Sequence, residues 1–447
     1  MTHPLSLSGW GRFPVVDATG SWPASLAAAA GLETGTPALP RGLGRSYGDA
    51  SLPASGQSFA DMRFLDRFVS FDVATGLLVA EAGVSLQTIV RTLLPRGWFL
   101  PVTPGTQHVT LGGAVASNVH GKNHHHCGSI ESFVEFLDVA TPAGPEHCSP
   151  TENVDLFRAT VGGYGLTGLI LRVGLRMKRV TSSSIRGRSL RRGTLAELFR
   201  AFRENDTGNE YSVAWVDTLA RGRSLGRGVL LLGDHADAAG DEEPGAKGAS
   251  GKHTLFTVPF AAPAGILHPW ALRLFNTAYY RIPRSERETL KDYEGYFYPL
   301  DIIGNWNLMY GPRGFFQYQF VIPDPSGEEG VEECLRFLAD NGMGSFLAVL
   351  KRCGDDTVML PFCRTGYTLA LDIPHRGDDT LRKLDRLDAL VLKYGGRVYL
   401  TKDARLPRDT FRAMYPEWKD WMNVVRRYNS EGRGRSSMSE RLGLWEA

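Results

Sequence analysis

Residues 101–128 read PVTPGTQHVTLGGAVASNVHGKNHHHCG. Almost every position is small, turn-forming or able to donate a hydrogen bond. Gly105, Gly112, Gly113 and Gly121 let backbone approach a ligand closely. Such a stretch makes a poor core and a good cradle, in which main-chain N–H groups wrap a large, flat anion. Two stretches of the same kind flank it: 41–49 (RGLGRSYGD) and 160–168 (TVGGYGLTG). One such loop says little. Three together predict a bound dinucleotide-type cofactor, with Arg41 and Arg45 placed to suit its pyrophosphate.

Neither a Rossmann nor a P-loop site fits. The glycine loops lack the strand–GxGxxG–helix setting with an acid about 20 positions on, and no GxxxxGK[ST] run is present. Around the loops the chain mixes short strands and helices. Residues 68–82 read as a β-hairpin turning at 74–76. Ser85 caps a helix over 85–94, and 25–32 reads as a short helix ended by Gly31. Strands are expected at 133–140, 169–180, 211–217, 314–322, 346–351 and 367–372, and amphipathic helices at 194–204, 327–341 and 378–394. The polar, basic run 181–195 reads as a crossover, and 234–253 as a mobile surface loop. Residues 256–282, apolar and aromatic with interspersed prolines, have two readings: a core helix, or a lid that meets a lipid-like substrate or a membrane surface.

The pattern is α+β, not regular βαβ winding. At 447 residues the chain is long enough for two domains. A net charge of +2 provides no basic field, so nucleic acid is not expected as a partner. Five cysteines in no paired spacing argue against a disulfide framework. The start, MTHPLSLSGWGRFP, lacks the features of a secretory signal, and no run of about 18 apolar residues predicts a transmembrane helix. The expected location is the cytoplasm or the periphery of a membrane, with the periplasmic face left open. In the run His124-His125-His126-Cys127, adjacent side chains cannot all point at one ion, and no second cluster has zinc spacing. No metal is expected there; the run reads as a hydrogen-bonding turn near the cofactor.

The segments 41–49, 104–106 (PGT), 109–113 (VTLGG), 120–123 (HGKN) and 162–168 (GGYGLTG) resemble the FAD-binding segments of the vanillyl-alcohol-oxidase superfamily. Further along, 214–217 (AWVD), 298–301 (YPLD), 306–307 (WN), 310–312 (YGP), 316–323 (FQYQFVIP) and 401–403 (TKD) resemble its decaprenylphosphoryl-β-D-ribose 2′-oxidase branch. The likeness runs along nearly the whole chain and is weakest at 1–30 and 220–290. It implies a two-domain α+β flavoprotein. An FAD-binding domain over 1–183, completed by 397–447, would hold an inserted antiparallel-sheet substrate domain over 184–396. Many superfamily members bind FAD covalently through a histidine in the first glycine loop. Arg45-Ser46-Tyr47 stands there instead, so noncovalent FAD is expected.

By the same resemblance the cofactor contacts are Gly42, Leu43, Gly44, Arg45, Ser46, Tyr47, Gly48 and Asp49, then Gly105, Thr110, Leu111, Gly112 and Gly113. His120, Gly121, Lys122, Asn123, Ile170 and Tyr399 complete them. The substrate would meet Trp215, Tyr310, Gln317, Gln319, Lys351 and Lys122. Gln317 and Gln319 are two apart on a strand and so face one side, as a sugar site needs. Lys351 and Lys122 suit a phosphate. The catalytic candidates are Lys402, to stabilise the reduced flavin anion, and Tyr47 or His120, to relay the hydroxyl proton. One departure stands out. Mycobacterial members carry a cysteine in the strand that here reads Leu369-Ala370-Leu371-Asp372.

The activity so implied is oxidation of the 2-hydroxyl of a polyprenylphosphoryl-β-D-ribose to the ketone, the first half of an epimerisation completed by a partner short-chain dehydrogenase. Two alternatives stay open: an aldonolactone or alditol oxidase acting on a soluble sugar, and a non-catalytic sugar- or lipid-phosphate-binding protein.

Overall fold

The computed structural model describes residues 4–35, 38–237, 254–263, 269–282 and 286–446. Its architecture is α+β and centres on an eight-stranded antiparallel sheet. The strand order is Glu288–Asp292, Ser184–Arg192, Gly228–His235, Tyr211–Val216, Ala348–Cys353, Gly366–Pro374, Phe315–Pro323 and Arg397–Val398. Period-2 alternation gives the sheet two different faces. One face carries Tyr318, Phe320, Leu350, Leu369 and Leu371, buried in the main core. The amphipathic helices Leu195–Asn205, Gly327–Asp340 and Asp378–Lys393 contribute Leu198, Phe202, Leu335, Leu338, Leu384 and Leu387 to that same core. The other face presents Trp215, Gln317, Gln319, Lys351 and Ala370 to a cavity.

The glycine loops grow out of two smaller sheets. A five-stranded antiparallel sheet runs Gly144–Cys148, Val134–Thr141, Leu169–Arg176, Leu77–Glu81, Phe68–Asp72. A three-stranded parallel sheet, Gly20–Ser21, Ser58–Asp61, Ala38–Arg41, leads straight into the first loop. Ser85 caps the helix Leu86–Leu93 as its sequence predicts, its side chain accepting from the Thr88 N–H. The last helices, Arg408–Met414, Trp418–Tyr428 and Ser437–Arg441, pack back on this part. Trp421 donates to the Ala159 carbonyl at 3.0 Å and Asn429 to that of Leu166.

Several expectations change. The run 181–195 is no crossover: Ser184–Arg192 is a full strand of the large sheet. It shows no clean alternation: Ile185 and Leu190, five apart, are buried in different core clusters, and long basic side chains flank them with their heads polar. The strand Gly228–His235, absent from the sequence reading, extends into the stretch taken for a surface loop; 238–253 of that stretch lie outside the described residues. The first helix runs through Gly31 to Thr34. Within 256–282, Pro269–Arg281 is a helix, and 264–268 lie outside the described residues. It is not a core helix: Leu272 and Asn276 are buried, but Leu274 is 67% and Phe275 45% exposed. No helix among the described residues is long and apolar enough to cross a membrane.

One ion cluster joins the chain's ends. Arg441 grips both oxygens of Asp49 at 2.8 Å and reaches Asp403 at 2.9 Å; both carboxylates are almost fully buried. Removing the cation leaves two buried negative charges face to face, at a cost of about 3–5 kcal/mol. Arg441→Met is therefore expected to lower the urea midpoint substantially, with Arg441→Lys intermediate. An unchanged midpoint would contradict a structural role for the cluster.

Candidate active site

The three glycine loops, far apart in sequence, close around one cavity of about 590 Å³. Gly42 makes the approach possible. A side chain there would start 2.3 Å from Thr110 Oγ1, so only glycine lets the first loop lie against the second. Of the expected cofactor contacts, Gly42, Leu43, Gly44, Arg45, Ser46 and Tyr47 lie on the wall, as do Gly105, Thr110, Gly112, Gly113, His120, Gly121, Lys122, Ile170 and Tyr399. Trp215, Gln317, Gln319, Lys351 and Lys402 line it as well, so both sets of residues share a single space.

Five expected residues stand behind the wall. Gly48 packs on the Asp403 carbonyl and Asp49 holds Arg441. Leu111 is buried in the core. Asn123 donates to the Pro101 carbonyl at 2.9 Å and braces the loop. Tyr310 stacks on Phe315 with centroids 4.0 Å apart, and its hydroxyl donates to Asp372 Oδ2 at 3.1 Å.

That contact reveals a group the sequence reading missed. Asp372 is fully buried and takes a second hydrogen bond, 2.8 Å, from Gln317 Nε2. Burial pushes its carboxyl up to about 6, against the pull of these two donors and of Lys402. An acid inside an apolar strand pattern was the signal available. Gln319 Nε2 bridges His120 Nε2 at 2.9 Å and Thr368 Oγ1 at 3.0 Å. With Gln319 as donor, His120 Nε2 accepts and Nδ1 carries the proton, so the remaining ring nitrogen is a donor. Burial holds it neutral, reinforced by Lys351, His124 and Lys402. Burial likewise keeps Tyr47 a phenol.

Three lysines are enclosed by protein yet open to the cavity. Enclosure pushes Lys402 down to about 7; Lys351 adds to this and Asp372 opposes it. Lys122 also falls to about 7, through enclosure and then through Lys351 and Lys291. Lys351 is lowered by enclosure too. Lys122 donates to the Tyr296 carbonyl and Lys351 to that of Gly121 at 3.3 Å, while Asp372 is the carboxylate that acts on Lys402; three cations that share one acidic neighbour favour an anionic ligand.

The residues present fit a flavin dinucleotide. Arg45, His120 and Gln319 line the cavity, and their Arg45 Nε, His120 Nδ1 and Gln319 Oε1 atoms are buried with no hydrogen-bond partner among the described residues. Buried polar atoms are normally satisfied, so these call for a polar occupant. A Cβ on Gly105 would meet nothing within 4 Å and would project into free space.

Residues 25–149 match the family described as FAD binding domain. Fold, cavity and match together define an FAD-dependent oxidoreductase. The chain is 35% identical to decaprenylphosphoryl-beta-D-ribose oxidase of Mycolicibacterium smegmatis, across 99% of this chain and 98% of that one. It is 31% identical to an uncharacterized protein of Streptomyces coelicolor, across 81% of this chain and all of that one. The chain belongs to the decaprenylphosphoryl-β-D-ribose oxidase family of FAD-linked oxidases. D-arabinono-1,4-lactone oxidase of Yarrowia lipolytica, by contrast, is 25% identical over only 30% of this chain and 26% of its own length. The soluble-sugar alternative is thus not favoured.

Gly105→Val tests the cradle. The backbone there needs no glycine-only conformation and the new side chain meets only open space. The variant is expected to fold with wild-type circular dichroism but to purify with less than about a tenth of the flavin. Full flavin occupancy would contradict this placement of the ligand.

Proposed function

We propose that the protein oxidises the 2-hydroxyl of a polyprenylphosphoryl-β-D-ribose to the 2-keto sugar, using noncovalently held FAD. The observation that carries this reading is the full-length match to an enzyme named for that substrate, extending through the sheet strands as well as the glycine loops. Noncovalent binding is supported by the first loop, which offers no histidine. A second part of the proposal concerns domains: 1–183 with 397–447 would hold FAD, and 184–396 would hold the substrate.

Bound FAD supplies the hydride acceptor. The remaining work falls to the protein. Gln317, Gln319 and Trp215 would seat the sugar, and His120 would donate from Nδ1. Lys351 and Lys122 would meet the phosphate. Lys402, near neutrality in its titration, suits the group that takes the hydroxyl proton. Its charged form also suits the role of stabilising the reduced flavin. Asp372, held by Tyr310 and Gln317, would set its charge. The keto product then suits a partner reductase of the short-chain dehydrogenase type, which would return it with C2 inverted.

The lipid would enter past an apolar rim. Thr254 and Tyr279 line the cavity, and the chain around them exposes Leu255, Phe260, Leu274 and Ile282. This apolar rim supports peripheral contact with a membrane, where such a substrate resides.

The test is product analysis with a prenylphosphoryl ribose and an electron acceptor. The expected product is two hydrogens lighter and labelled by borodeuteride at C2. No such product, from protein that retains its flavin, would overturn the proposal. Lys402 is deprotonated as pH rises through about 7. Flavin reduction by substrate is therefore expected to rise across that pH and level off above it. Lys402→Met should lower the rate at least about a hundredfold, in the range of lost acid–base catalysis, and abolish the rise. A rate that falls above that pH would assign Lys402 a purely cationic role.

A further inference from the structure

Behind the cavity wall, three side chains meet that no step above uses. The ligand atoms of His124, Cys353 and Cys363 lie within 4.8 Å of one another, and all three residues are buried. They come from separate parts of the chain. His124 opens the short helix after the HGKN turn, Cys353 ends the strand that carries Lys351, and Cys363 follows Phe362. None of the three lines the cavity.

The surroundings look prepared. Asp356 Oδ1 lies 3.1 Å from His124 Nε2. The same carboxylate accepts from Ser129 Oγ at 2.6 Å and from the Cys363 N–H at 2.8 Å, which fixes it firmly. His124 Nδ1 accepts the Gly354 N–H at 3.0 Å, so it carries a lone pair, and the proton sits on Nε2 facing Asp356. A carboxylate that orients an imidazole through one nitrogen and leaves the other as donor is the usual outer shell of a metal-ligating histidine.

We propose that His124, Cys353 and Cys363 bind one zinc ion as a structural site. Two thiolates and an imidazole are among the commonest zinc donors, at about 2.3 Å for sulfur and about 2.0–2.1 Å for nitrogen. A water oxygen completes the tetrahedron, with Asp356 kept in the outer shell on Nε2. The balance is simple: Zn²⁺ enters, each thiol loses one proton, and the imidazole stays neutral. The two thiolates cancel the ion's charge, which suits a buried position. The Gly354 N–H gives up Nδ1 when the ion binds there. No oxidant or reductant takes part. The ion would staple the turn bearing His120 to the strand bearing Lys351 and to the loop bearing Phe362. That ring packs on His120 with centroids 5.5 Å apart. Local spacing does not announce the site, because the partners of His124 lie more than 220 positions away.

The experiment uses holoenzyme grown with zinc, passed through a chelator column, then measured by plasma mass spectrometry and zinc-edge X-ray absorption. One zinc per chain is expected, with two sulfurs and one nitrogen in its shell. Cys353→Ser and Cys363→Ser should fall below about a tenth of that, while Cys148→Ser, buried in another core cluster, keeps it. Should the two site variants fail to fold, the wild-type absorption shell decides alone. Less than about a tenth of an equivalent after titration with zinc, a shell without two sulfurs, or a Cys353–Cys363 disulfide in the purified protein would each overturn the proposal.

Discussion

Arg441 holds Asp49 and Asp403 together, and the geometry of the cavity depends on that contact. Asp49 lies two residues past Tyr47, and Asp403 directly follows Lys402. The same cluster therefore sets the distance between two groups proposed to act on substrate. The backbones reinforce it: the Tyr47 N–H donates to the Thr401 carbonyl at 3.2 Å. Gly48 lies so close to the Asp403 carbonyl that a Cβ there would stand 1.6 Å from the oxygen. One loop from the start of the chain and one turn from its end are thus fixed as a single wall. Lys402 sits over the Tyr47 ring at 5.5 Å as a result.

The opposite wall obeys another constraint. A sheet strand sends alternate residues to opposite faces. Gln317 and Gln319 therefore share the cavity face with Ala370 and Val349: Gln317 pairs with Asp372, Gln319 with Ala370, and Ala370 in turn with Val349. The other face is closed by three helices, so polar groups have only the cavity to turn to. Lys122, Lys351 and Lys402 gather there with Asp372 as the nearby carboxylate. Each lysine alone is tolerable; together they make the space hospitable to phosphate and unwelcoming to a neutral apolar guest. Ala370 lies on this part of the wall, where its methyl group offers neither charge nor hydrogen bond.

Much of this was legible in the sequence, for identifiable reasons. The hairpin Phe68–Asp72 and Leu77–Glu81, the helix Asp378–Lys393 and the strand Phe315–Pro323 carry clean periodicities, and the structure has them. The convergence of three glycine loops was readable because side-chain-poor segments have few other uses. What stayed hidden depended on tertiary partners. The strand Ser184–Arg192 looked like a linker because its arginines flank buried positions that do not alternate. Leu111, Asn123 and Tyr310 lie in or beside motifs that line the cavity, yet each turns inward to brace it. Asp372 shows its role only once Tyr310 and Gln317 are seen to point at it. Likewise His124 in a histidine run is unremarkable until Cys353, Cys363 and Asp356 arrive from elsewhere in the chain.

The central claim is that one cavity joins a flavin cradle to a site for a lipid-linked pentose. Anaerobic mixing of the purified holoprotein with a prenylphosphoryl ribose, with xylitol and with galactonolactone measures this directly through loss of the flavin's visible absorbance. Bleaching by the lipid-linked ribose, with the two soluble sugars inert, is the predicted result. Bleaching by the soluble sugars alone would contradict it.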